Sequence, residues 1–208
     1  MKFSKTRMPI AVLAAAVIAG SSSYLLLRSA SEPVPVAERL SQWATPVEIE
    51  GAPNFYKVTE DLYRGAQPTA EGIKALKQMG IKTIINLRSV HSDEDEIGRI
   101  DIGYEHIEFE PWNVEYEQIE RFLKIVTDEK KTPVFVHCKY GSDRTGFMCS
   151  VYRVAVCGWE KQAAIDEMVN GGFGFHPVWK NITESLENID VEQFKEHGGD
   201  STPPAKDN

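Results

Sequence analysis

With 208 residues, 42% of them hydrophobic, the chain is long enough for one domain of ordinary size with a core of its own. A formal net charge of −8 argues against nucleic acid as a partner and against broad contact with an anionic membrane, so positive potential at a site has to be local. The three cysteines, Cys138, Cys149 and Cys157, are too few for a disulfide scaffold and suit a reactive thiol instead.

Lys2, Lys5 and Arg7 precede an Ala-rich apolar run from Pro9 to Gly20, and the run resumes at Tyr24-Leu25-Leu26-Leu27. This layout predicts that residues 1–30 are a signal peptide or an N-terminal membrane anchor. Arg28 before Ser29-Ala30-Ser31 leaves cleavage open. Either outcome places the remainder outside the cytoplasm, periplasmic or membrane-anchored, and limits any membrane contact to that anchor. Pro and Gly recur between residues 31 and 53, which predicts a linker. Residues 54–197 then form one domain, and the polar residues 198–208 a disordered tail.

Within the domain, Phe55-Tyr56-Lys57-Val58 and Leu62-Tyr63-Arg64 read as short strands around a turn. Thr69 is a good N-cap for a helix whose apolar residues are Ile73, Leu76 and Met79, with Gly80 closing it. Residues 82–87 are a buried strand, 91–96 an acidic loop and 104–109 an alternating strand. Residues 114–127 carry a helical apolar stripe of Ile119, Phe122, Leu123 and Val126. A strand at 134–136 follows, then helices over 144–157, 159–170 and 178–189, with Gly171-Gly172 ending the second. Strands alternating with helices predict an α/β fold: a central, largely parallel sheet flanked by helices, with the site at the C-terminal edge of the strands. No His, Cys, Asp or Glu cluster shows metal-ligand spacing along the chain, so neither a metal nor another cofactor is expected.

The stretch from Val134 to Cys149 carries the chemistry. A β-branched run ends at His137-Cys138, a loop Lys139-Tyr140-Gly141-Ser142-Asp143 follows, and the pattern turns helical at Arg144-Thr145-Gly146. A loop feeding a helix N-terminus converges unpaired backbone N–H groups on one point, and the helix dipole adds positive potential there. A phosphoryl dianion fits such a site, and the same field favours the thiolate of Cys138. Arg144 can fork onto two phosphate oxygens. Thr145 can hydrogen-bond the sulfur, and Gly141 lets the loop bend with positive φ. Cys-x5-Arg alone is a weak signal; the strand before it, the central glycine and the Arg-Thr-Gly after it make it strong.

Residues 137–146 resemble the signature loop of the cysteine-dependent protein-tyrosine and dual-specificity phosphatases. Tyr63-Arg64-Gly65-Ala66-Gln67-Pro68, Ile85-Asn86-Leu87-Arg88 and Gly171-Gly172-Phe173-Gly174 are similar to the bacterial exported branch and to atypical fungal and plant members. The resemblance implies phosphate-monoester hydrolysis through a phosphocysteine intermediate. Cys138 is then the nucleophile and Arg144 the transition-state clamp, with Lys139, Tyr140, Gly141, Ser142, Asp143, Arg144 and Thr145 binding the substrate. The partner is a phosphorylated protein, phosphotyrosine first and phosphoserine or phosphothreonine second, or a small phosphate ester. An inositol-polyphosphate phosphatase is the runner-up, and an inactive phosphate-binding module or a sulfur-transfer enzyme the rivals from other classes.

One family element is missing. The proton donor ordinarily comes as an Asp from the loop before the long helix, yet Glu108-Phe109-Glu110-Pro111-Trp112-Asn113 contains none. We place the acid at Asp143, which resembles the Asp of myotubularin-type signature loops. Glu110, Asp93 and Asp95 stay open as alternatives. His137 is expected to be structural, hydrogen-bonded behind the loop. Arg64 is read as structural, Gln67 as a helix start, and Arg88 as either a substrate contact or a surface arginine.

Overall fold

The structure, a computed structural model, describes residues 41–195. The expected signal or anchor, the first part of the expected linker and the expected tail lie outside the described residues.

Six strands form one mixed sheet: β1 (Thr45–Pro46), β2 (Tyr56–Lys57), β3 (Leu62–Gly65), β4 (Thr83–Asn86), β5 (Gly103–His106) and β6 (Val134–His137), in the order β1-β2-β3-β6-β4-β5. β3, β6, β4 and β5 are parallel; β1 and β2 add an antiparallel edge. The helices are α1 (Ala70–Gln78), α2 (Glu94–Ile97), α3 (Tyr116–Val126), α4 (Asp143–Ala155), α5 (Lys161–Asn170), α6 (Lys180–Asn188) and α7 (Glu192–Lys195). Among the described residues no helix is long and apolar enough to cross a membrane.

The two-residue period of the central strands divides the core. Val134 and Val136 of β6 and Ile85 of β4 face one way, into a cluster with Phe122, Phe147 and Ile165 from α3, α4 and α5. Phe135 and Ile84 face the other way and meet Ile73 and Leu76 of α1. Both strands are therefore buried on both sides, as continuous apolar runs in parallel sheets usually are. Each fully buried Ile or Phe contributes roughly 1.5–3 kcal/mol. α4 is covered nearly all round, because it lies between the sheet and α5 and α6. Thr69 caps α1 as expected, its hydroxyl accepting the Gly72 N–H at 3.2 Å.

The folded unit begins earlier than the expected start at Asn54. Within the expected linker, Thr45–Pro46 pairs with Tyr56–Lys57, and Ala52 is buried. The Ala44 N–H donates to Glu167 Oε1 at 2.6 Å, and Arg153 Nη2 donates to the Gln42 carbonyl at 3.1 Å. A two-residue strand leaves no periodic trace in a sequence, and at the edge of a sheet Pro46 loses no ladder bond. The acidic loop contains the short helix α2, and Cys157 lies past the end of α4 rather than on it. All three cysteines are free thiols.

Candidate active site

β6 ends at His137, and the buried Cys138 follows at its C-terminal edge, where the parallel strands also deliver Gly65 and Asn86. Five residues later, at Asp143, α4 begins. Gly141 turns the loop with φ +71°, and a Cβ there would lie 2.5 Å from the carbonyl of Gly65, so the expected glycine bend is also a close approach to β3. Ser142 stands at the N-cap, yet its hydroxyl donates to the Phe173 carbonyl at 2.8 Å and makes no cap bond. The first N–H groups of α4 are thereby left to an anion. Thr145 Oγ1 is buried and has no hydrogen-bond partner among the described residues, which leaves it available to the sulfur.

Arg144 Nη1 donates to the carbonyls of Leu87, after β4, and Phe109, after β5, at 3.2 and 3.3 Å. These bonds bring the loop of Glu110 beside the cradle. Lys139 and Tyr140 are exposed at the mouth, with the ammonium 5.1 Å from the Tyr140 ring centroid.

Two clasps hold the loop. Behind it, His137 Nε2 and Asp93 Oδ2 are 2.6 Å apart, both side chains fully buried. Asp93 Oδ1 accepts from Gln67 Nε2 at 2.8 Å and Asn86 Nδ2 at 3.1 Å, and Arg88 Nη1 donates to Gln67 Oε1 at 2.9 Å. Burial raises the Asp93 pKa, but the hydrogen bond and charge of His137, the Gln67 amide and the charge of His91 outweigh it and hold the carboxyl below its ordinary value. Asp93 is thus a buried anchor of the loop with both oxygens engaged, while Asp95 sits exposed on α2. His137 behaves as expected.

On the other side, Arg64 is buried, donating from Nη2 to the Gly141 carbonyl at 2.7 Å, its guanidinium 3.7 Å from the Phe173 ring centroid. Asn54 Nδ2 bridges the carbonyls of Tyr140 and Phe173 at 2.9 and 3.0 Å. The Gly-Gly-Phe-Gly segment is therefore a brace for the cradle.

Asp143 does lie at the loop, but both its oxygens are engaged: Oδ1 accepts the His176 N–H at 2.8 Å, and Oδ2 lies 2.8 Å from His176 Nδ1. Sequence reasoning missed His176, a single histidine two residues past the Gly171-Gly172-Phe173-Gly174 run. It also missed Asn54 and the Asp93 contact of Gln67. The expectation that no ligand-spaced cluster exists is corrected too. Ligand atoms of His91, Asp93 and Glu96 lie within 4.8 Å of one another, because α2 folds the acidic stretch back on itself.

This fold and loop define a cysteine-dependent phosphatase, and the family model described as "DSP-PTPase phosphatase fused to NAD+ Kinase" matches residues 35–177. The chain belongs to that family and is a protein-tyrosine/dual-specificity phosphatase by kinship. It is 30% identical to the dual specificity protein phosphatase TpbA of Pseudomonas aeruginosa, over 91% of this chain and 86% of that one. A crystal structure of TpbA in complex with pTyr superposes with a TM-score of 0.67 at 27% identity, covering 77% of this chain and 98% of that one. The catalytic domain of the PP-IP phosphatase SIW14 of S. cerevisiae shares the fold, with a TM-score of 0.64 at 19% identity, over 72% of this chain and 93% of that one.

Proposed function

We propose that this phosphatase hydrolyses phosphomonoesters on proteins, phosphotyrosine foremost, through a phosphocysteine intermediate. The observation that carries the reading is the braced loop, with Cys138 at its start, uncapped N–H groups at its end and Arg144 beside it. Cys138 attacks phosphorus in line with the leaving oxygen, while Arg144 and the N–H groups of residues 139–144 neutralise the equatorial oxygens. Thr145 assists the sulfur as it leaves when water cleaves the thiophosphate. Residues 1–30 have the layout of an export segment, and we read the enzyme as acting outside the cytoplasm.

The mouth supports an aromatic ester on a protein. Tyr140 is 57% exposed and Trp112 66% exposed, and Trp112 lies on Trp179, their centroids 6.3 Å apart. In the loop, Lys139 is the one lysine, whereas an inositol polyphosphate calls for several cations. The complex of the related TpbA with pTyr supports the same choice. Hydrolysis of a phosphotyrosyl peptide without metal and with reductant tests the reading. The parent should turn over and, after rapid quench, carry one phosphoryl group on Cys138, while Cys138→Ser should bind the peptide without releasing phosphate. Binding without turnover in the parent would instead establish a phosphate-binding module.

A further inference from the structure

Cleavage of a phosphotyrosyl or phosphoseryl ester needs a proton for the departing oxygen and then a base for water. The loop that ordinarily carries the acid contains only Glu108 and Glu110, and Asp93 is a buried anchor with both oxygens engaged. Asp143 cannot donate freely while Oδ1 accepts a backbone N–H and Oδ2 faces an imidazole nitrogen. The same two bonds organise His176. A carboxylate at Nδ1 makes that nitrogen the donor and leaves Nε2 to act on something else. Among the described residues Nε2 has no partner, and the side chain is 52% exposed whereas that of Asp143 is 12% exposed. The ring stands edge-on to Tyr140, with centroids 6.1 Å apart, which sets it at the mouth of the cradle.

We propose that His176 is the acid and base of the reaction, and that Asp143 is its positioning residue. The assignment rests on the phosphatase reading above. As the Cys138 S–P bond forms and the ester P–O bond breaks, the Nε2 proton of the imidazolium passes to the leaving oxygen, and the alcohol departs. The neutral imidazole then takes a proton from water as its oxygen attacks phosphorus, the S–P bond breaks, and thiolate, phosphate and imidazolium are restored. Asp143 on α4 and Tyr140 are the titratable groups against the ring, and the Lys139 ammonium lies 5.1 Å from the Tyr140 ring centroid.

Leaving-group dependence separates a proton donor from a structural histidine, because a strongly acidic phenol leaves without a proton. The test compares parent, His176→Asn and Asp143→Asn on phenyl phosphate and on 2,4-dinitrophenyl phosphate across pH, with vanadate binding as a check of the cradle. For His176→Asn we expect a loss of about 100-fold or more in kcat on phenyl phosphate and under about tenfold on the dinitrophenyl ester. The basic limb of the phenyl phosphate profile should vanish while vanadate still binds. Asp143→Asn should displace that limb. An equal loss on both esters, or none on phenyl phosphate, overturns the assignment. So does a leaving-group-dependent loss found in Glu110→Gln and not in His176→Asn. If the parent turns over neither ester while vanadate binds, the phosphatase reading fails, and the assignment with it.

Discussion

Replacing Arg64 with Met tests whether a residue that never meets substrate sets the shape of the cradle. The guanidinium is buried beneath the loop, donating to the Gly141 carbonyl at 2.7 Å and lying 3.7 Å from the Phe173 ring centroid. A hydrogen bond from a charged group is worth about 1.5–3 kcal/mol, and a desolvated cation–π contact about 2 kcal/mol. Met is close in length and recovers part of this by apolar burial, roughly 1–2 kcal/mol. The net loss is then about 2–3 kcal/mol, or some 5–10 °C in Tm for a domain of this size. The Gly141 carbonyl loses its donor, and the crest of the loop loses the contact that aims its N–H groups. If half of the loss falls on the cradle, vanadate binds about tenfold more weakly. Thermal unfolding and vanadate inhibition read the two effects separately. Arg64→Lys keeps the charge without the planar stack and should fall between parent and Arg64→Met. An Arg64→Met protein within about 1 °C of the parent, with unchanged vanadate inhibition, would refute the clasp.

Two further outcomes follow from the buried titratable groups. Folding lowers the Asp93 pKa, so its contribution to stability is complete above the ordinary carboxylate range, near 4, and disappears as pH falls through the lower folded value. Asp93→Asn should therefore lower Tm at neutral pH and flatten its decline on the acid side. An acid limb as steep as the parent's would mean another carboxylate governs it. Burial pushes the Cys149 thiol up to about 11, only partly offset by the Arg64 charge, and burial raises Cys157 too. Iodoacetate near neutral pH should label one thiol fast, and both vanadate and Cys138→Ser should abolish that phase; a second fast thiol would contradict the burial argument.

What could be read in the sequence was whatever repeats locally. The buried runs of β4 and β6, the N-cap of α1 and the apolar stripe of α3 have periods or caps that a short window shows. Cys138 and Arg144 were legible as candidates because strand, loop and helix start are contiguous. His176 was not, because Asp143 lies 33 residues before it and the fold alone joins them. Gln67 and Asp93, 26 residues apart, form the same kind of long-range pair. The edge strand β1 escaped because two residues of a Pro-rich segment carry no alternation, and only pairing with Tyr56–Lys57 makes them a strand.

That long-range character bears on how this chain manages without an Asp in the loop of residues 108–113. Phe173 and His176 belong to one short segment. The Phe173 ring is buried under Arg64, and its carbonyl receives Ser142 and Asn54. Three residues on, the His176 backbone is tied to Asp143, a residue of the signature loop itself. The segment is thus bonded to the cradle at both ends, to Tyr140 and Ser142 through Asn54 and Phe173, and to α4 through His176. In our assignment the proton donor is carried by the cradle's own brace and needs no closure of a separate loop to bring it in. Its distance from phosphorus is then set by the contacts that shape the anion site. The catalytic order follows from the packing order: Arg64 and Phe173 place the loop, the loop places Asp143, and Asp143 places the imidazole.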